Sequence, residues 1–231
     1  MFKTINFGGK IPMEILSFKE EDYEDTWERE YVQELISTLK KGMVVYDIGA
    51  ENGELSVMAA NIVGGENVHI FEPNKDYFPN IKAIWDANNL TDAASCFNGY
   101  VDEVSSEWVT FRTLNELGNG EIFYGCYHAN PNVTPMQTVS LDKYSKSIWF
   151  KPPNVIMMDI EGAELSAVKG AKEIIEKYAP IFFISIHPQY IQERSNGTKE
   201  ELIQIFLDNN YNAIHLSTDH EEHWEFIKNN I

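Results

Sequence analysis

Tyr46-Asp47-Ile48-Gly49-Ala50-Glu51-Asn52-Gly53-Glu54 is the stretch that decides the fold. An apolar run, Met43 to Ile48, leads into it, and a helix face made by Leu55, Met58, Ala59 and Ile62 follows, ending at Gly64-Gly65. An uninterrupted apolar strand, a glycine-bearing turn and a helix make the opening unit of a parallel sheet. Outward from it the alternation continues. Val68 to Phe71 is a second apolar run. Tyr77, Ile81, Ile84, Trp85 and Asn88 then stand at helical spacing, with Asp76 as cap and Pro79 in the first turn. Val155 to Met158 is a further strand, followed by a helix with the stripe Val168, Ala171, Ile175 and Tyr178 that Pro180 closes. Ile181 to Ile186 is the next strand, and Thr198 with Glu201 is a capping box for a helix ending near Asn209-Asn210. Strands alternating with helices predict an α/β fold: a doubly wound, mostly parallel, Rossmann-like sheet in a single domain over residues 1–231.

Three regions lie outside that alternation. Acidic residues crowd Glu14 to Glu34, where Trp27, Tyr31, Val32, Leu35, Ile36 and Leu39 recur at helical spacing before Lys40-Lys41-Gly42. The pattern predicts an N-terminal helical extension over residues 1–42 whose acids form a solvated face. Residues 101–140 carry β-rich fragments, Trp108 to Phe111 and Ile122 to Tyr127, split by Gly118-Asn119-Gly120 and Asn130-Pro131-Asn132. They read as an insertion or lid. Its Trp108, Phe111, Tyr124, Tyr127 and His128 serve either to stack an acceptor or as the insertion's own small core. Ala213 to Leu216 and Trp224 to Ile227 make a terminal strand pair around an acidic, His-bearing turn.

Composition narrows the function classes. The chain has 231 residues, 43% of them hydrophobic, enough for a proper core. Its formal charge is -18, from 36 acidic and 18 basic residues, which repels phosphate backbones and anionic lipid. Neither a nucleic-acid partner nor a membrane is expected. With no apolar span and no basic-then-apolar N-terminus, a cytoplasmic location is expected. Cys96 and Cys126 lack CxxC spacing and read as ordinary reduced thiols, not a zinc or redox pair.

In open parallel sheets ligands bind beyond the carboxyl ends of the strands, near the switch point. The first such end lacks the GxGxxG of a dinucleotide site, and Asp47, Glu51 and Glu54 would set carboxylates beside a pyrophosphate. A nicotinamide-dependent oxidoreductase is therefore the weaker reading. The same carboxylates suit S-adenosylmethionine, a cation without phosphate. The second strand ends in Phe71-Glu72-Pro73-Asn74, placing Glu72 to accept the two ribose hydroxyls.

The sequence resembles the FkbM-type S-adenosylmethionine-dependent methyltransferases. The resemblance rests on Asp47 to Gly53, Phe71-Glu72-Pro73, Ser140-Leu141-Asp142, and Val155 to Glu164 running into Lys169-Gly170-Ala171, and it spans about residues 43 to 187. It implies a class I methyltransferase sheet with a reversed last strand, and transfer to a hydroxyl of a sugar or small molecule. By position it implies that Asp47, Gly49, Ala50 and Gly53 hold the methionine end of the donor, Glu72 the ribose, and that Asn98 lies near the adenine. Glu51, Asn52, Pro73 and Asp159 complete the expected donor set. Two positions depart from the family pattern: Met157 stands where a Lys is frequent, and Ser185 where a Glu precedes His187 by two. Ser185 motivates the alternative of a catalytically silent donor-binding module.

Methyl transfer is an in-line displacement helped by alignment and by a general base. Asp159, at the end of its strand, is the first candidate for base or acceptor orienter, and His187 the second. Glu164 shares the stripe of Val168 and Ala171, so its carboxylate should point toward the sheet; its plain alternative, shared with Glu161, is to bond the amides of the helix start. The carboxylates and His187 also allow a divalent metal, which is not favoured. His215, His220 and His223 read as ordinary surface or strand residues. The acceptor's identity and the oligomeric state are not written in the sequence.

Overall fold

The computed structural model describes residues 2–8, 13–19, 22, 28–122 and 137–229. A short hairpin, β1 (Lys3–Asn6) with β2 (Glu14–Ser17), precedes helix α1 (Arg29–Thr38). Then come β3 (Val45–Ile48), α2 (Glu54–Val63), β4 (Val68–Phe71), α3 (Phe78–Ala87) and β5 (Ser95–Phe97). The inserted region contributes β6 (Gly99–Val101), β7 (Phe111–Arg112), α4 (Leu114–Leu117) and β8 (Gln137–Val139). The chain resumes with α5 (Leu141–Tyr144), β9 (Val155–Met158), α6 (Glu164–Lys169), α7 (Lys172–Lys177), β10 (Ile181–Ile186), α8 (Pro188–Ser195) and α9 (Lys199–Asp208). It closes on β11 (Tyr211–Thr218) and β12 (Glu222–Lys228).

Eight strands form the main sheet in the order β11-β12-β10-β9-β3-β4-β5-β7. The five strands from β10 to β5 are mutually parallel, whereas β12 runs antiparallel to both β10 and β11. Strand order reverses between β3 and β9, the switch point. Fully buried runs such as Val45–Ile48 and Val155–Met158 follow from helices on both faces. One face packs α1, α2 and α3 around Leu35, Met58, Ile81 and Trp85; the other packs α5, α6, α7 and α9 around Tyr144, Val168, Ile175 and Phe206. Among the described residues no helix is long and apolar enough to cross a membrane.

The structure corrects three of the sequence expectations. The N-terminal extension, expected to be helical over residues 1–42, opens with a hairpin before the ten-residue helix α1. Ile15 pairs with Ile5 across the hairpin and both are buried, a period-two contact that the acidic run around it hides. The helix after β9 is broken at Gly170, where a Cβ would lie 2.4 Å from the Asp102 carbonyl oxygen. Asp142 restarts it by accepting from the Ile174 amide at 3.1 Å, so the Ser140-Leu141-Asp142 motif is a structural joint. Asn74, not Asp76, caps the turn before α3, accepting from the Asp76 amide.

The insertion lies partly in the sheet: β7 pairs antiparallel with β5, and β6 with β8 form a separate parallel pair. Phe111 packs in the interior against Phe97 and Tyr144, with centroids 5.3 and 4.8 Å away, whereas Trp108 is 80% exposed. Trp27, Tyr124, Cys126, Tyr127 and His128 lie outside the described residues. Cys96 is buried in β5.

Candidate functional site

The loops leaving the carboxyl ends of β3, β4, β5, β9 and β10 meet around a cleft of about 580 Å³, which reaches Gly49, Glu51, Glu72, Pro73, Asn74, Tyr100, Asp159, Glu161, Tyr190 and Arg194. At its β3 end the chain turns at Gly49, whose φ of 90° favours glycine. A Cβ there would fall 1.8 Å from the Asp159 carbonyl oxygen. The residue is therefore glycine so that the β3 and β9 loops can touch. Gly49 and Ala50 both donate backbone N–H to the Phe71 carbonyl, at 2.8 and 3.4 Å, binding this loop to β4. Gly53 turns into α2 with φ 87° against Ile81. Asn52 accepts from Asn80 at 2.7 Å.

Glu72 is buried, and its two carboxylate oxygens accept from the amides of Glu51 (2.8 Å) and Asn74 (2.7 Å). Burial pushes its pKa up to about 8, against those two hydrogen bonds. Asn98 follows β5 directly. Its Nδ2 donates to the carbonyls of Glu72 and Pro73 at 3.1 and 2.8 Å, shaping the turn that presents Glu72, while Gly99, Tyr100 and Val101 form the cleft wall. Asp47 is buried, accepts from the Ser56 hydroxyl and has its pKa raised by burial to about 6. It faces a smaller pocket beside the cleft, shared with Glu28, Tyr31, Ala50, Glu51, Glu54 and Asp159.

The β9 end is more acidic still. Asp159 borders both cavities, and burial, then the charge of Glu221, holds its carboxyl well above the usual range. Its Oδ1 is buried without a hydrogen-bond partner among the described residues. Glu161, with φ 54° and a 64% exposed side chain, stands at the mouth. Glu164 points inward as its stripe predicts: its Oε1 accepts from the Gly162 amide (2.9 Å) and from His187 Nδ1 (3.0 Å). His187 Nε2 lies 2.6 Å from Glu221 Oε2. Burial works to lower the His187 pKa, but the bonds to Glu164 and Glu221 and the nearby Asp159 prevail and raise it to about 11. A carboxylate beside each ring nitrogen favours the protonated imidazolium form of His187.

Three further contributors are not among the residues singled out from the sequence. Glu28 belongs to the acidic run expected to be solvated, yet it lines the smaller pocket, and burial, eased by Lys19 at 4.0 Å and reinforced by Glu221, lifts its pKa to about 7. Glu221 belongs to the acidic turn before β12, and its side chain is only 3% exposed. His223, expected to be ordinary, is fully buried and bonds the Ser185 hydroxyl at 3.0 Å, the position of the family departure. Nothing in their local sequence separates these residues from solvated neighbours. Oxygens of Glu28, Asp159 and Glu221 come within 4.8 Å of one another, as do atoms of Asp159, Glu161 and His187. An all-oxygen trio of this kind is chemically able to hold a hard divalent cation.

A five-stranded parallel run flanked by a reversed strand, with an acid-lined cleft at its switch point, defines a class I methyltransferase-type α/β fold. The chain belongs to the FkbM methyltransferase family, whose domain model matches residues 47–230, including the C-terminal hairpin. A comparison with curated proteins finds no match. Among solved structures, the methyltransferase FkbM of Methylobacillus flagellatus KT is similar at 21% identity and a TM-score of 0.52, over 83% of this chain and 47% of that one. This chain thus spans about half of that protein's length. Magnesium protoporphyrin IX methyltransferase of Synechocystis PCC 6803, solved with bound SAM, aligns at 11% identity over 90% of this chain and 80% of its own (TM-score 0.48). An rRNA methylase of Streptococcus thermophilus aligns at 11% identity over 84% and 91% (TM-score 0.48).

Proposed function

We propose that this protein is an S-adenosylmethionine-dependent methyltransferase that methylates a hydroxyl of a sugar or other small molecule. The observation that carries the donor assignment is Glu72, presented to the cleft by the amides of Glu51 and Asn74. The cleft falls within the size range of small-molecule sites. Glu51, Glu72, Asp159 and Glu161 oppose Arg194, the one basic lining residue among the described residues, which favours a cation over a pyrophosphate.

Glu72 would accept the ribose hydroxyls, while Asp47, Gly49, Ala50 and Gly53 would enclose the methionine end, with Asn98 supporting the turn. S-adenosylmethionine bound there would supply an electrophilic methyl on its sulfonium. Asp159 would orient the acceptor hydroxyl and take its proton, a task suited to a carboxyl whose basicity burial raises above the usual carboxylate range. Glu164 and His187 act behind it, not on the acceptor. Tyr100 and Tyr190 line the cleft and offer flat faces to a ring. The chain's negative charge favours a small acceptor over a polyanion.

Incubation with methyl-labelled S-adenosylmethionine and a panel of hydroxylated sugars and small molecules tests this. Label should pass to an acceptor, and Asp159→Ala should slow transfer by on the order of 100-fold while S-adenosylhomocysteine binds as before. Transfer to an amine or to RNA instead, or full activity in Asp159→Ala, would contradict the assignment.

A further inference from the structure

Glu221 sits between β11 and β12, outside every motif recognised in the sequence, yet it completes a buried chain of charges. Its Oε2 lies 2.6 Å from His187 Nε2 as an ion-pair contact, and Glu164 Oε1 accepts from Nδ1 at 3.0 Å, with side chains 3%, 4% and 0% exposed respectively. A carboxylate on each ring nitrogen makes the imidazole a cation, and a buried cation needs both partners. Each end is anchored: the Gly162 amide donates to Glu164, and the Glu221 amide donates to Asp219 Oδ1 at 3.0 Å. Tyr190 stacks on the ring at 5.6 Å with an interplanar angle of 10°. The ring so held turns its Nε2 edge toward Glu161 Oε2 at 3.5 Å and Asp159 Oδ1 at 3.8 Å. That Asp159 oxygen has no hydrogen bond among the described residues, and the one positive charge facing it, against the acids Glu221, Glu161 and Glu28, is the His187 imidazolium.

We propose that Glu221 is a positioning residue for the transfer reaction: by fixing His187 from the side opposite Glu164, it sets the orientation and electrostatic environment of Asp159 at the acceptor end. The proposal rests on the functional reading of Asp159 given above. It also assigns a task to the C-terminal hairpin, which delivers the second carboxylate to a histidine at the end of β10.

Nuclear magnetic resonance of isotope-labelled protein tests this without an acceptor, following the His187 ring protons and the Asp159 carboxyl carbon in the wild type, Glu221→Ala and Glu221→Gln. Calorimetry with S-adenosylhomocysteine runs alongside. In the wild type both ring protons should resist exchange with solvent. Glu221→Ala should lose the Nε2 proton signal and shift the Asp159 carboxyl signal, with S-adenosylhomocysteine affinity unchanged. Glu221→Gln, whose amide oxygen still accepts from Nε2, should restore both signals in part. The proposal is overturned if Glu221→Ala leaves both signals in place, if Gln restores nothing, or if S-adenosylhomocysteine affinity and melting temperature fall together as in a general loss of fold. Failure of the wild type to bind S-adenosylhomocysteine would instead overturn the functional reading and the role with it, leaving the Glu164–His187–Glu221 contacts as described.

Discussion

Glu72 shows how a single carboxylate can couple stability to binding. Its ordinary pKa is 4.5 and burial raises it to about 8 in the folded protein. A group whose folded pKa is raised stabilises fully below about 4.5 and loses that contribution as pH climbs through 8, because the fold prefers the neutral form. Glu72→Gln is neutral at every pH. The melting temperature of Glu72→Gln relative to the wild type should therefore be higher at pH 8 than at pH 5, and a difference that stays constant with pH would contradict this. Gly49 gives a second residue-level expectation. With φ at 90° and the Asp159 carbonyl 1.8 Å from any Cβ, Gly49→Ala should cost at least the ~1–3 kcal/mol of a strained conformation, read by denaturant unfolding. Asp47, one residue before the end of β3, and Glu72 and Asp159, immediately after β4 and β9, could be placed from the sequence because apolar strands mark the ends where a parallel sheet sets its ligands. Glu28 and Glu221 could not, because tertiary packing alone distinguishes a buried acid from the exposed ones around it.

Among the elements, the central strands were read nearly to the residue: Val155 to Met158 and Ile181 to Ile186 are the observed β9 and β10. An unbroken apolar run between helices leaves little choice of period. The hairpin β1–β2 was missed although Glu14-Ile15-Leu16-Ser17 alternates exposed and buried residues, since four residues carry little pattern beside a long acidic run. The break between α6 and α7 was also missed: it depends on the backbone of Asp102, distant in sequence, pressing on Gly170. Asp142 is where this break can be tested. It accepts from the Ile174 amide at the start of α7, and Asp142→Ala should cost about 1 kcal/mol, the usual worth of a helix cap, measured by denaturant unfolding. An unchanged midpoint would show that α7 starts without it.

For the whole molecule, the charge of -18 divides into two populations. Acids such as Glu14, Glu30 and Glu34 lie on the outer surface, where they contribute solubility. Glu28, Asp47, Glu51, Glu72, Asp159, Glu164 and Glu221 converge from five parts of the chain on the carboxyl edge of one sheet. Desolvating so many carboxylates opposes folding, and a cationic ligand relieves that cost where a dinucleotide would increase it. The β12 reversal brings Glu221 to this edge, which is why the family match running through residue 230 bears on the site as well as on the fold.

Calorimetric titration of S-adenosylhomocysteine into the wild type and Glu72→Ala probes the central claim most directly. The account predicts one site per chain in the wild type and a loss of affinity on the order of 10-fold or more in Glu72→Ala, about 1.4 kcal/mol or greater. No heat from folded wild-type protein, or equal affinity in the two proteins, would contradict it.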